Sequence, residues 1–136
     1  MKRITAILAS AVLATAALAP QAEAAPQFVA NSDNSVRCAL YDGETLCVSE
    51  RARKSQPQCN PRGQLAPAVS IQRKWVGTKC WNQGFERQPQ RLQPFQVHNH
   101  GTRFVFASPT GDLFVLDMTK PALIRAGAVN AVLFSL

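Results

Sequence analysis

Acidic residues are scarce in this chain, with eight Asp and Glu against fifteen Lys and Arg among 136 residues. Between Arg51 and Arg103 only Glu86 stands against ten basic side chains, which argues against a cationic partner for that stretch. The four cysteines lack a C-x-x-C and any close pair, being separated by 8, 11 and 20 residues. That spacing excludes thioredoxin-like exchange and the usual zinc arrangements, which want two close pairs. No stretch carries a convincing apolar stripe of helical period, which excludes a helical domain. Beyond the N-terminus no apolar run approaches the ~20 residues of a membrane helix, and no cysteine follows the first run to take a lipid anchor.

The first run itself is informative. Lys2 and Arg3 precede an uncharged apolar segment, Ile4 to Ala19, and Ala22-Glu23-Ala24 supplies the small-x-small pattern of a signal peptidase site. The reading is a secretory signal peptide over residues 1–24 and a single mature β-rich domain over 25–136. Cleavage removes Lys2, Arg3 and Glu23, leaving 13 basic and 7 acidic residues, a net +6. A chain of that size buries only about two thirds of its unfolded surface, so disulfides are the expected reinforcement in an oxidising compartment.

The turn chemistry says which cysteines join. Asp42-Gly43 lies between Val36-Arg37-Cys38-Ala39-Leu40 and Thr45-Leu46-Cys47-Val48, a hairpin signal that predicts a type I′ turn. With a two-residue loop, partner numbers sum to 85, so Cys38 falls opposite Cys47 in a non-hydrogen-bonded pair, where side chains approach most closely. Cys59 is then left to join Cys80. A second hairpin is expected around Pro109-Thr110-Gly111, with Pro109 opening a type I turn and Gly111 in the left-handed position. That register sets Ser108 opposite Asp112 and Phe106 opposite Phe114, making a weak internal repeat of two clasped hairpins.

Of the remainder, Val69 to Val76 alternates as one strand, Glu50 to Ser55 suits a helical turn, and Gly84 to Pro94 reads as loop. Ala128 to Phe134, apolar on both faces, is expected to be a buried closing strand. The fold class is mostly β: a small disulfide-stapled sandwich or partly open barrel built from β-hairpins.

The series Phe28, Ser32, Asn34, Val36, Cys38, then Thr45-Leu46-Cys47, Gln58-Cys59 and Val76 to Cys80 resembles a small secreted actinobacterial disulfide-bonded domain family of unknown function, written F-x-S-P-S-G-N-I-x-C followed by G-V-x-C. This chain departs from it at Ser32-Asp33-Asn34, and Phe106 and Phe114 stand where a later cysteine pair would fall. The resemblance implies a secreted β-rich domain with an aromatic pair in place of a third disulfide, and it brings no catalytic residue or cofactor.

Residues 51–103 carry a local +9, while 25–50 carry −3 and 104–136 balance. Such polarity points to an anionic cell-envelope polymer or a protein partner, with nucleic acid the less favoured polyanion. Arg73, Lys74, Lys79, Arg87 and Arg91 are the candidate anion-binding cations, and Trp75 and Trp81 the stacking faces beside them. The expected location is extracellular or cell-wall associated.

The competing reading is a small secreted hydrolase or transferase using His98 or His100 with Glu86 or a free Cys80. In the transglutaminase-like version Cys80 acts with one of the histidines and Asp112 or Asp117, which requires a free thiolate. His98-Asn99-His100 places two imidazoles on one face if extended, but no nearby acid or cysteine completes a metal site. Solvent-exposed loop histidines are the simpler reading, and no cofactor is expected.

Overall fold

The structure is a computed structural model that describes residues 25–85 and 87–136. The expected signal peptide and its cleavage site lie outside the described residues, as does Glu86. Two open sheets are formed. The first comprises β1 (Gln27–Ala30), β2 (Val36–Tyr41), β3 (Glu44–Ser49), β4 (Ala66–Gln72), β5 (Val76–Trp81) and β6 (Gln90–Arg91), in spatial order β5-β4-β3-β2-β1-β6. The second comprises β7 (Val97–His100), β8 (Arg103–Ala107), β9 (Leu113–Asp117), β10 (Ala122–Ala126) and β11 (Ala131–Ser135), in order β11-β10-β9-β8-β7. Each sheet is thus an antiparallel meander of five strands, and the first gains β6 beside β1 in parallel. Both stay open at their edges and pack face to face, so the architecture is a sandwich rather than a barrel.

Alternation decides what is buried. Along β2, Val36, Cys38 and Leu40 face inward, as do Val69 and Ile71 of β4; Val105 of β8, Leu113 and Val115 of β9 and Ile124 of β10 meet them from the other sheet. Each such aliphatic side chain, buried fully, is worth roughly 1.5–3 kcal/mol. The expected disulfides are present: Cys38–Cys47 lies inside this core with Cα atoms 4.0 Å apart, and Cys59–Cys80 ties the 50–65 connection to β5. A short 3-10 turn, Glu50–Ala52, opens that connection.

The registers of both hairpins follow the sequence, with Tyr41 opposite Glu44, Cys38 opposite Cys47 and Phe106 opposite Phe114. The first turn differs in type. Gly43 has φ 87° but Asp42 stays at negative φ, the sign pattern of a type II turn rather than I′. In the second, Gly111 has φ 92° and its N–H donates to Ser108 O, as a type I turn with a left-handed glycine requires.

Three other expectations are corrected. Val69 to Val76 is not one strand: the chain reverses at Arg73-Lys74, with Gln72 and Trp75 exchanging backbone hydrogen bonds and Ile71 opposite Val76. The histidines are not in a loop, because His98 and His100 sit on β7 and turn inward opposite Val105 and Arg103. Ala128 to Phe134 is not buried, since β11 is an edge strand with Val132, Leu133 and Phe134 exposed. Phe106 and Phe114 do pair, with ring centroids 6.4 Å apart, but on the outward face of β8 and β9. The inward pairs there are Val105–Val115 and Ala107–Leu113.

The two outer faces are treated differently by the chain. To reach β6 from β5, at the opposite edge, the chain passes over the outside of the first sheet. Phe85 packs there with Trp81 against Leu46, Val48 and Ala68, and meets Phe28 at 5.6 Å and the Arg37 guanidinium at 5.6 Å. The second sheet has no such roof among the described residues.

Candidate functional site: the open end of the sandwich

One end of the sandwich is laced shut by polar contacts between the sheets. Asn31 Nδ2 donates to Gly111 O at 2.8 Å, Ser49 Oγ to Gly127 O at 2.6 Å, and Asn130 Nδ2 to Gln56 Oε1 at 2.8 Å. Asp112, its side chain only 5% exposed, holds Arg51 at 3.4 Å and Arg125 at 2.8 Å.

The other end gathers the β2–β3, β4–β5, β7–β8 and β9–β10 turns around a cleft of about 470 Å³. Its walls carry Asp42, Glu44 and Asp117 on one side of the charge balance and Arg73, Arg103 and Lys120 on the other, with His100, Thr102 and Thr119 between. Arg103 pins the sheets at its floor: Nη1 donates to Tyr41 O at 2.7 Å and to Glu44 O and Thr45 Oγ1 at 3.2 Å. Burial pulls the Arg103 guanidinium below the ordinary arginine value, with Asp117 and Asp42 pulling the other way. Thr102 and Thr119 hydroxyls meet at 2.6 Å, and Asp117 accepts the Thr119 N–H at 2.9 Å, so the β9–β10 turn is held in place.

At the cleft's rim, Lys120 Nζ donates to Arg73 O at 2.6 Å. This contact brings a cation of the second sheet onto the Arg73-Lys74 turn. Trp75 follows at 42% exposure, its ring lying against Gly77, where a Cβ would come within 2.7 Å of Trp75 Cζ2. Gly77 thus provides the flat spot on which the indole rests.

The candidate residues taken from the sequence separate into three places. Arg73, Lys74 and Trp75 are together at the rim. Lys79 and Trp81 lie on the outer face of the first sheet and are already engaged: Lys79 Nζ is 3.1 Å from Glu44 Oε2 and 5.2 Å from the Trp81 ring centroid. Trp81 belongs to the small cluster under Phe85, and its buried Nε1 has no hydrogen-bond partner among the described residues. Arg87 and Arg91 are at the β6 edge, five strand spacings or ~24 Å from β5. Arg91 Nη1 reaches Ser32 O at 3.4 Å, and Arg87 lines a shallow hollow with Gln27 and His98. Sequence reading missed Lys120 and the threonine pair, because only the folded β9–β10 turn sets them beside Arg73.

The free-thiol enzyme is overturned by the Cys59–Cys80 bridge, and the described residues contain no free cysteine. His98 Nε2 lies 2.5 Å from Gln27 Oε1, and burial lowers its pKa from the ordinary 6.5. The neutral ring is therefore favoured in the folded chain, and the unfolded chain binds more protons as the medium is acidified. Stability contributed by His98 is fully present above pH 6.5 and is lost as pH falls through the lowered folded value. We expect the thermal midpoint to fall from pH 7 toward pH 5 and this slope to flatten in His98→Gln; an unchanged slope in the variant removes His98 as its source. Asp33, its carboxyl held below 3.8 by hydrogen bonds from Ser35, adds a further loss only in stronger acid. No family model, curated protein or solved structure matches the chain.

Proposed function

We propose that this is a non-catalytic, secreted binding domain whose partner is an anionic cell-envelope polymer, held at the open end of the sandwich. The observation that carries this reading is the Lys120–Arg73 contact, which brings Lys120 onto the Arg73-Lys74 turn at the mouth of the cleft, with the exposed Trp75 next in the chain and its ring over Gly77. Three cations attract a polyanion over a Debye length of ~8 Å at physiological salt, and the indole offers a stacking face to a sugar ring. Thr102, Thr119 and Asp42 give the cleft the hydrogen-bonding groups that a hydroxyl-rich unit uses. Of the ten basic residues between Arg51 and Arg103, Arg51, Arg53 and Lys79 are in ion pairs and Arg103 is half-buried, so the anion site is narrower than the charge count alone implies. Kinship with the small secreted actinobacterial domains belongs to the same proposal, and the two disulfides suit an oxidising extracytoplasmic location. Among the described residues no helix is long and apolar enough to cross a membrane.

The test is retention on isolated anionic wall glycopolymer as salt is varied. Arg73→Gln with Lys74→Gln is expected to weaken retention about tenfold or more and to flatten its salt dependence, and Lys120→Gln to do the same to a smaller degree. Trp75→Ala is expected to weaken binding without changing the salt slope, since stacking displaces no counterions. Parent-like retention of the double Gln variant rejects the site. The same loss from Arg87→Gln with Arg91→Gln moves it to the β6 edge.

A further inference from the structure

The outer face of the second sheet carries two apolar rows across its strands. Val97, Phe106 and Phe114 stand side by side in one, and Phe104, Leu116, Leu123 and Phe134 in the next. The outer face of an antiparallel sheet ordinarily alternates to polar side chains where it meets water. Only Asn99 and Arg125 interrupt these rows, and Arg125 is ion-paired with Asp112, a carboxylate it shares with Arg51.

Phe95 adds a second, independent observation. Its φ is 72°, a left-handed conformation that a bulky side chain adopts only at a cost, and the outcome is a ring packed 6.5 Å from Phe106 yet 68% exposed. Backbone strain is here spent on presenting an apolar ring to the outside.

We propose that this face is the contact surface of a homodimer, two copies opposing their second sheets about a two-fold axis. Its polar side chains, Asn99 and Arg125, are already hydrogen-bonded within the protomer, and the face is too flat to enclose a small molecule. Charge permits the second copy on this face: at net +6 for the expected mature chain, two copies repel through most of their surface, whereas the charged side chain within these rows, Arg125, is ion-paired with Asp112. Area permits a weak dimer. Five strands spaced ~4.8 Å apart and five residues of ~3.4 Å give about 400 Å² per partner before side-chain relief, roughly half of the ~800 Å² of a standard interface. Leu133 and Leu136, both exposed, add apolar surface at the β11 edge. Face-to-face packing of sheets is also how the protomer itself is built. The connections within this sheet, 101–102, 108–112, 118–121 and 127–130, are too short to fold back as a cover.

Sedimentation equilibrium of the purified protein, with residues 1–24 present and absent, tests this. We expect a reversible dimer in both forms with a Kd on the order of micromolar, because the area is at the small end for stable association. Phe104→Asp with Phe134→Asp should be monomeric with an unchanged circular dichroism spectrum. Phe95→Gly, which relieves the left-handed strain, should weaken association about tenfold while leaving the monomer's thermal midpoint the same or higher. A ring needed only within the protomer would instead lower that midpoint, and this result overturns the proposal. So does a parent that stays monomeric up to about 100 µM, a hundredfold over a micromolar Kd, whether the face then takes up detergent or is covered by residues 1–24. Dimers that survive the Phe104 and Phe134 changes overturn it as well.

Discussion

Replacing Asp112 by alanine is expected to destabilise the protein by about 2–3 kcal/mol. The carboxylate is nearly buried, yet it joins Arg51 from the connection after β3 to Arg125 on β10, so it ties the two sheets together at the closed end. Removing it leaves two guanidinium groups facing each other without a counter-ion. The full 3–5 kcal/mol of a broken buried pair is not expected, because Arg51 and Arg125 are each about one third exposed and recover part of their hydration. Gly127 provides the control. A Cβ there would lie 1.8 Å from Asp112 Oδ1 and 3.1 Å from Asp112 Cβ, so Gly127→Ala drives the carboxylate out of its position between the arginines. The φ of Gly127 is not in the left-handed region, and the cost is therefore steric. Alone it should cost about 2 kcal/mol, but in the Asp112→Ala background most of that should vanish. Chemical denaturation of the four proteins measures the coupling; simple additivity would show that Gly127 acts through some other contact.

Two glycines show why the hairpins were legible and the site was not. Gly43 and Gly111 mark their turns because each adopts a positive φ that other residues resist, so the register of the adjoining strands could be counted outward from them. The Arg73-Lys74 turn has no glycine, proline or asparagine, and alternation runs through it unbroken, which is why Val69 to Val76 reads as one strand. Losing that turn hides β5 as a separate edge, and with it the position of the rim. Lys120 is hidden for a different reason. Its nearness to Arg73 comes from stacking β10 on β4, a contact between sheets that no local pattern encodes.

The direction in which side chains face was equally hard to read. Ala128 to Phe134 looks like a buried strand by hydropathy, and Phe106 and Phe114 could be paired by register without their face being known. The first inference assumes that apolar means inward. Here the inward positions of β8 and β9 are filled by Val105, Ala107, Leu113 and Val115, so the phenylalanines are placed outward by parity. The parallel pairing of β6 with β1 was illegible too, because two residues of strand leave no periodicity to detect.

The two disulfides, alike in sequence, are expected to respond oppositely to reduction. Cys38 and Cys47 are fully buried between the sheets, and the hairpin around them is already fixed by six register pairs and by β1 and β4 on either side. No reductant reaches that bridge until the sandwich opens. Cys59 is buried, but Cys80 is only partly buried on the edge strand β5, so this bridge lies nearer to solvent than Cys38–Cys47 and is expected to be the more accessible to a thiolate. Mild reduction should therefore open Cys59–Cys80 first, leaving β-sheet circular dichroism intact, with Cys38–Cys47 reduced only as the protein unfolds. Pulsed alkylation and peptide mass mapping reads the order directly. The energies follow from chain entropy and from packing. Closing 10 residues stabilises by about 2.7 kcal/mol and closing 22 by about 3.4 kcal/mol. Cys38→Ala with Cys47→Ala loses the smaller entropy term but also empties space in the core, so we expect about 3–4 kcal/mol in total. Cys59→Ala with Cys80→Ala should release the 50–65 connection, with Gln56 and its hydrogen bonds to Lys79 O and Asn130, while the two sheets persist. If the Cys38–Cys47 bridge is alkylated first, the core assigned to it is not closed to solvent, and the order of burial described for this hairpin is wrong.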